Sequence, residues 1–187
     1  VVENLILTGT GDIAGPGSAS ANQLLGNSGA NLLIGGAGSD LLSGGGGEDT
    51  LRGGLDHDTL FGGAGNDVFT YDDSDFGGST GVMASHSDSL FDFAAGDGFD
   101  LTGLISTADL ARAGDVNGAI RIVGGDGSFV IEINEGAVLH NSPSADWSAA
   151  FNVYGQLDDL SATIGTGPDS ATYRYDTGTG HFELGGG

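Results

Sequence analysis

Between residues 17 and 70 one apolar side chain returns at every ninth position: Leu24, Leu33, Leu42, Leu51, Leu60 and Phe69. Glycine, aspartate and asparagine fill most of the space between them, so neither a helical stripe nor a long alternating strand accounts for the pattern. Read from Gly17, the six copies are GSASANQLL, GNSGANLLI, GGAGSDLLS, GGGGEDTLR, GGLDHDTLF and GGAGNDVFT, with the apolar residue eighth in each. Positions seven to nine predict a short strand with its middle side chain turned inward. The six residues before them predict a tight turn, with glycines at positions one, two and four supplying left-handed or crowded backbone angles. One buried residue per copy predicts a solenoid in which two copies make a coil and copies 18 residues apart stack.

After Phe69 the period stops, and Asp72, Asp73 and Asp75 open a polar loop that runs to about Asp88. From there the texture changes to short alternating strands, predicted at 119–123, 129–133, 151–154, 172–175 and 181–184. Gly124-Gly-Asp-Gly suits one hairpin turn and Asp176-Thr-Gly-Thr-Gly another. A short helix is predicted over 107–113, started by Thr107. The chain therefore reads as all-β: a parallel β-roll with a lead-in strand over residues 1–75, then an antiparallel β cap over 76–187. The cap is expected to pack on the roll and close its open end.

Charge sharpens this picture. Four arginines (52, 112, 121 and 174) and no lysine face 26 acidic residues, a formal net charge of −22. That balance excludes nucleic acid and anionic membrane surfaces as partners. Only five acids are glutamate (3, 48, 132, 135 and 183), and the rest are the short carboxylate that suits tight turns and oxygen-ligand metal loops. No cysteine is present for disulfide or thiolate staples, and no stretch reaches the length of a membrane span. Starting at Val1 rather than Met, the sequence reads as a piece of a longer protein.

The candidate chemistry lies at position six, held by Asp40, Asp49, Asp58 and Asp67 and by Asn22 and Asn31 in the first two copies. Stacking places Asp40 over Asp58 on one edge and Asp49 over Asp67 on the other. Two carboxylates with inward carbonyls form a hard oxygen cage suited to Ca²⁺, which takes oxygen ligands at about 2.3–2.6 Å. Two strong sites follow, with up to two weaker ones from Asn22 over Asp40 and Asn31 over Asp49. Without a cation the facing carboxylates repel, and the roll is not expected to be stable. GGLDHD departs from the pattern at Leu55 and Asp56, where aspartate in place of glycine predicts distortion rather than loss. Asp88, Asp92, Asp97 and Asp100 are candidates for one more calcium site capping the roll, against a solvated acidic loop.

Other chemistries fare worse. No GK[ST] follows the glycines, no EF-hand glutamate closes the loop, and His57 and His86 have no partner at zinc spacing. Six in-register apolar positions argue against glycine-rich disorder. No G-x-S-x-G, H-E-x-x-H or other catalytic grouping is present. Trp147, Tyr154, Tyr173 and Tyr175 read either as cap packing or as a glycan-stacking face.

The segment from Gly35 to Tyr71 resembles the RTX family, nonapeptide-repeat proteins exported by type I secretion. The lead-in from Val2 is similar to segments that precede such repeats. Asp88-Ser-Leu-Phe-Asp-Phe and Gly96-Asp-Gly-Phe-Asp-Leu resemble the segment after the roll in serralysin-type protease C-termini and alginate epimerase R-modules. The resemblance implies a secreted bacterial module, non-catalytic, that meets the type I secretion machinery and folds on Ca²⁺ outside the cell. A polysaccharide-binding module of a secreted enzyme or adhesin is the alternative. It further implies that the calcium ligands are the position-six aspartates with turn carbonyls of Gly35, Gly36, Ala37 and Gly38, of Gly44, Gly45, Gly46 and Gly47, of Gly53, Gly54, Leu55 and Asp56, and of Gly62, Gly63, Ala64 and Gly65.

Overall fold

The computed structural model describes residues 3–76, 87–106, 109, 115–125, 127–134, 147–156, 160–164 and 170–185. Their strands are β1 (Asn4–Ile6), β2 (Ala14–Ser18), β3 (Gln23–Leu25), β4 (Leu32–Ala37), β5 (Leu41–Gly46), β6 (Thr50–Leu55), β7 (Thr59–Ala64), β8 (Val68–Asp72), β9 (Asp88–Phe93), β10 (Gly98–Gly103), β11 (Ile120–Gly125), β12 (Ser128–Asn134), β13 (Trp147–Gly155), β14 (Ser161–Ile164), β15 (Ala171–Asp176) and β16 (His181–Leu184). They form two eight-stranded sheets, ordered β1-β3-β5-β7-β9-β13-β12-β11 and β16-β15-β14-β10-β8-β6-β4-β2. Successive strands alternate between the sheets through β10, so each coil is two nine-residue halves. This is the expected parallel β-roll, ending in antiparallel strands.

Strands β4 to β7 are six residues long rather than three. In β5, Leu41 to Ser43 come from one copy and Gly44 to Gly46 from the next, with Leu42 and Gly44 buried. A glycine pair lacks side chains to obstruct an extended path, so the strand runs on into the first half of the following turn. The buried eighth residues stack across the sheets. In one sheet Leu5, Leu24, Leu42, Leu60, Leu90 and Val153 lie in register. In the other the column is Gly15, Leu33, Leu51, Phe69, Phe99 and Ala162.

The period resumes after Phe69. Stacked position-six residues are 18 apart in the repeats and 30 apart between Asp58 and Asp88, so twelve residues are inserted. Beyond the insertion Leu90 and Phe99 are again nine apart, and so are Val153 and Ala162. Strands β13 and β14 are parallel to β9 and β10, so the coil geometry outlasts the recognisable repeat by two coils. The antiparallel partners, β12 and β11 in one sheet and β15 and β16 in the other, extend these sheets edgewise. The two expected hairpins are present, joining β11 to β12 and β15 to β16, with positive φ at Gly124, Gly127 and Gly180. A short helix, α1 (Val116–Ala119), precedes β11, capped by Asp115. The helix predicted over 107–113 lies, but for Asp109, outside the described residues.

The insertion is anchored where it leaves the roll. Asp73–Phe76 forms a 3₁₀ turn, and the Arg52 guanidinium on the outer face of β6 donates to Asp75 at 2.7 Å and to Ser74 Oγ at 2.9 Å. Inside, Phe76 meets Tyr71, and Tyr71 meets Phe151 at a 4.0 Å centroid separation. Phe69, Phe93 and Phe99 continue this aromatic core.

Candidate metal centre

The turns between strands stack into two polar columns. On one edge the position-six residues are Asn22, Asp40, Asp58 and Asp88, and on the other Asn31, Asp49, Asp67 and Asp97. Each backbone N–H donates to Oδ1 of the residue one coil further on: Asn22 to Asp40 at 2.6 Å, Asp40 to Asp58 at 2.8 Å and Asp58 to Asp88 at 2.9 Å. The opposite edge repeats this from Asn31 to Asp49 at 2.7 Å, Asp49 to Asp67 at 2.9 Å and Asp67 to Asp97 at 2.9 Å. All eight side chains are buried.

The second carboxylate oxygen separates the residues. Oδ2 of Asp40, Asp49, Asp58 and Asp67 is buried with no hydrogen-bond partner. Leaving an ionised oxygen so is costly unless a cation meets it. Burial accordingly pushes these carboxyls up, Asp40 and Asp67 to about 6 and Asp58 to about 8, with the Asp88 charge adding to the last. Asp49 is raised by the same burial. The donor set thus fits Ca²⁺: anionic oxygen, buried and unclaimed, beside backbone carbonyls. A Cβ on Gly35 would strike both Asp40 Oδ2 and the Gly53 carbonyl, and one on Gly44 would strike Asp49 Oδ2 and the Gly62 carbonyl. Position one is therefore glycine for space, not for angle. The left-handed backbone expected there is found only at position two (Gly36, Gly45, Gly54, Gly63) and position four (Gly38, Gly47, Asp56, Gly65).

Asp56 keeps the position-four conformation at φ 78°, and its Oδ2 accepts from the Gly38 N–H at 3.1 Å. The turn survives its departure from the pattern. Among the described residues no three His, Cys, Asp or Glu side chains gather as a metal-binding group, so an ion here draws on carbonyls as well as carboxylates. Not every carbonyl in the implied set is open: that of Ala64 accepts from the Gly47 N–H at 2.9 Å.

Asp88, Asp92, Asp97 and Asp100 do not form one cluster, although Asp92 lies within electrostatic reach of Asp97 and Asp67. Asp88 ends one column and Asp97 the other, and both are satisfied within the protein. Asp88 Oδ2 accepts from the Tyr71 hydroxyl at 3.0 Å, and Asp97 Oδ2 from the Ala94 N–H at 2.8 Å. Burial raises Asp88 to about 7 and drives the Tyr71 hydroxyl well above its ordinary value. Asp92, left-handed at φ 56°, accepts from the Gly62 N–H at 3.1 Å, whereas Asp100 accepts from Thr102. Tyr71 escaped notice in the sequence, though an aromatic at position one, where all six copies carry glycine, was its signal. His57 is exposed, with its ring nitrogen 3.1 Å from the Ser87 carbonyl, and His86 lies outside the described residues. Of the four aromatic candidates, Tyr154 is partly exposed and stacks on Phe91 at 4.6 Å, Tyr175 packs on Phe182 and Tyr173 against the core. The Trp147 side chain lies outside the described set.

A parallel roll whose stacked turns bury unclaimed carboxylate oxygens has the form of a cation-binding repeat. Residues 16–51 and 43–75 match the family model of the RTX calcium-binding nonapeptide repeat, four copies per model. The segment is made of RTX repeats, which bind Ca²⁺ and are typical of secreted bacterial proteins. Among solved structures the chain is similar to the AlgE6R2 subunit of the Azotobacter vinelandii mannuronan C5-epimerase, at 20% identity and TM-score 0.47 over 77% of this chain and 84% of that one. It is also similar to the AlgE6R3 subunit of that enzyme, at 22% identity and TM-score 0.45 over 86% and 83%. No curated protein sequence matches the chain. No helix among the described residues is long and apolar enough to cross a membrane.

Proposed function

We propose that this chain is a non-catalytic calcium-folding module of a bacterial protein exported by type I secretion, ordered by Ca²⁺ once outside the cell. The observation that carries this reading is the set of four buried, unpartnered Oδ2 atoms on Asp40, Asp49, Asp58 and Asp67. Asp40 with Asp58, and Asp49 with Asp67, hold the two principal ions, aided by the Gly53 and Gly62 carbonyls. The free oxygens of Asp58 and Asp67 mark two further positions towards the coil that carries Asp88 and Asp97. Bound calcium supplies the positive charge that lets these carboxylates stay ionised while buried, and mass action then stabilises the fold. In low-calcium cytosol the same turns keep the chain open for export. The test is far-UV circular dichroism during calcium titration: a coil-to-β change at millimolar Ca²⁺ is expected, and a chain equally folded in excess chelator would sink the reading.

A second reading, polysaccharide binding, draws on the outer face of β7, β9 and β13. There Phe61, Phe91 and Tyr154 form a continuous stack, with centroids 5.2 and 4.6 Å apart and planes within 17° and 6°. Flat apolar rings of this kind suit sugar faces. Titrating the calcium-loaded protein with alginate and with a neutral glucan, alongside Tyr154→Ala, tests it: no chemical-shift change with either polymer removes this reading.

A further inference from the structure

The first two copies stack in the same columns as the later four but close their turns differently. In the turn of Asn22 the Ser18 N–H donates to Asn22 Oδ1 at 2.6 Å, and in the turn of Asn31 the Asn27 N–H donates to Asn31 Oδ1 at 2.8 Å. A Cβ on Gly17 would strike Asn22 Oδ1 together with the Gly35 carbonyl, and one on Gly26 would strike Asn31 Oδ1 with the Gly44 carbonyl. These amide oxygens therefore occupy the place that Oδ2 of Asp40 and Asp49 takes beside Gly35 and Gly44. The backbone differs at positions four and two: Ser20 and Gly29 lack the left-handed angle of Gly38, Gly47, Asp56 and Gly65, and the donor that claims the oxygen sits at position two. Ser18 and Asn27 are not left-handed, whereas Gly36, Gly45, Gly54 and Gly63 all have φ between 102° and 117°. A left-handed residue turns its N–H away from the path that a right-handed or extended one follows. In all four glycine copies the corresponding oxygen has no partner.

We infer that the position-two residue decides whether a turn takes calcium: glycine leaves the position-six oxygen open for the ion, and a side-chain-bearing residue closes it with its own N–H. Ser18 and Asn27 thus make the first turn on each edge a metal-free cap, and the asparagines are the neutral partners that such a closure requires. An aspartate there would gain a charge but still meet the backbone donor. This inference rests on the calcium reading above and adds to it a determinant that lies four residues before the ligand.

The experiment counts bound calcium by equilibrium dialysis and calorimetry in the full chain. Asn22→Asp alone is expected to leave the ion count of the wild type unchanged, as is Ser18→Gly alone. Ser18→Gly with Asn22→Asp is expected to add one ion. Asn27→Gly with Asn31→Asp repeats the test on the opposite edge, should the first pair fail to fold. An added ion with Asn22→Asp alone overturns the inference, and so does a folded double variant with no added ion. Wild-type protein that takes up no calcium removes the calcium reading and this inference together.

Discussion

The repeat half and the C-terminal half are built on one coil, and they differ in what fills position six. From Asn22 to Asp97 that place is polar. One coil later Asp88 is in register with Phe151, and Asp97, preceding Gly98, lies beside Leu160, which precedes Ser161. Phe151 and Leu160 are fully buried, and Phe151 stacks on Tyr71 and Phe99. The same backbone course thus carries buried carboxylates in one half and apolar packing in the other. The repeat half has small side chains and one large buried residue per copy, and it leaves four buried carboxylate oxygens without a hydrogen-bond partner. The C-terminal half fills the same register positions with Phe151 on one edge and Leu160 on the other. At the junction Tyr71 and Ala94 satisfy the last carboxylates, so neither column ends on an open charge.

The hardest blow to the comparison is a cavity on the ring side. Phe151→Ala is expected to cost about 3–5 kcal/mol, as buried Phe truncations do, while the ion count stays that of the wild type. Calcium-saturated chemical denaturation with dialysis checks both, and a lost ion would mean that the halves are not held separately. Next in size, Asp49→Asn removes one charge from the turn shared with Asp67 and is expected to weaken calcium binding about tenfold or more, near 1.4 kcal/mol. Calorimetry that finds unchanged affinity breaks the stacking assignment. Tyr71→Phe withdraws the donor from Asp88 and leaves a fifth buried oxygen unpartnered. A loss of about 1–3 kcal/mol is expected, and Asp88→Asn in the same background should recover part of it.

A separate lever is pH. Asp40, Asp58, Asp67 and Asp88 titrate above the ordinary 3.8, between about 6 and about 8 when folded. The folded chain therefore holds more protons than the unfolded one across that window, and metal-free stability falls as pH rises from about 4 to 8. Calcium competes with the same protons, so its apparent affinity should rise over the same range. Dichroism in chelator at pH 4.5 and 7.5, with calcium titrations at pH 5.5 and 7.5, checks both signs.

The nine-residue spacing alone determined much of this protein. Leu24 to Phe69 fixed the stacking of copies 18 apart, and the position-six residues fixed the columns, because a strict period leaves one way to bury one apolar residue in every nine. Asp56 could be read as tolerable since aspartate accepts a left-handed angle. The continuation was harder to see. Leu90, Phe99, Val153 and Ala162 keep the register, but a twelve-residue insertion hides the first pair and the later coil lacks the glycine–aspartate signal. Strand β14 went unseen because Ser161-Ala-Thr-Ile is short and carries no turn motif. Only the tertiary structure decided which oxygens are claimed. Asp67 and Asp97 are the same residue type at the same register position, yet one is left open and the other closed by the Ala94 N–H. That outcome depends on where neighbouring backbone donors point in space, which no residue type carries in itself.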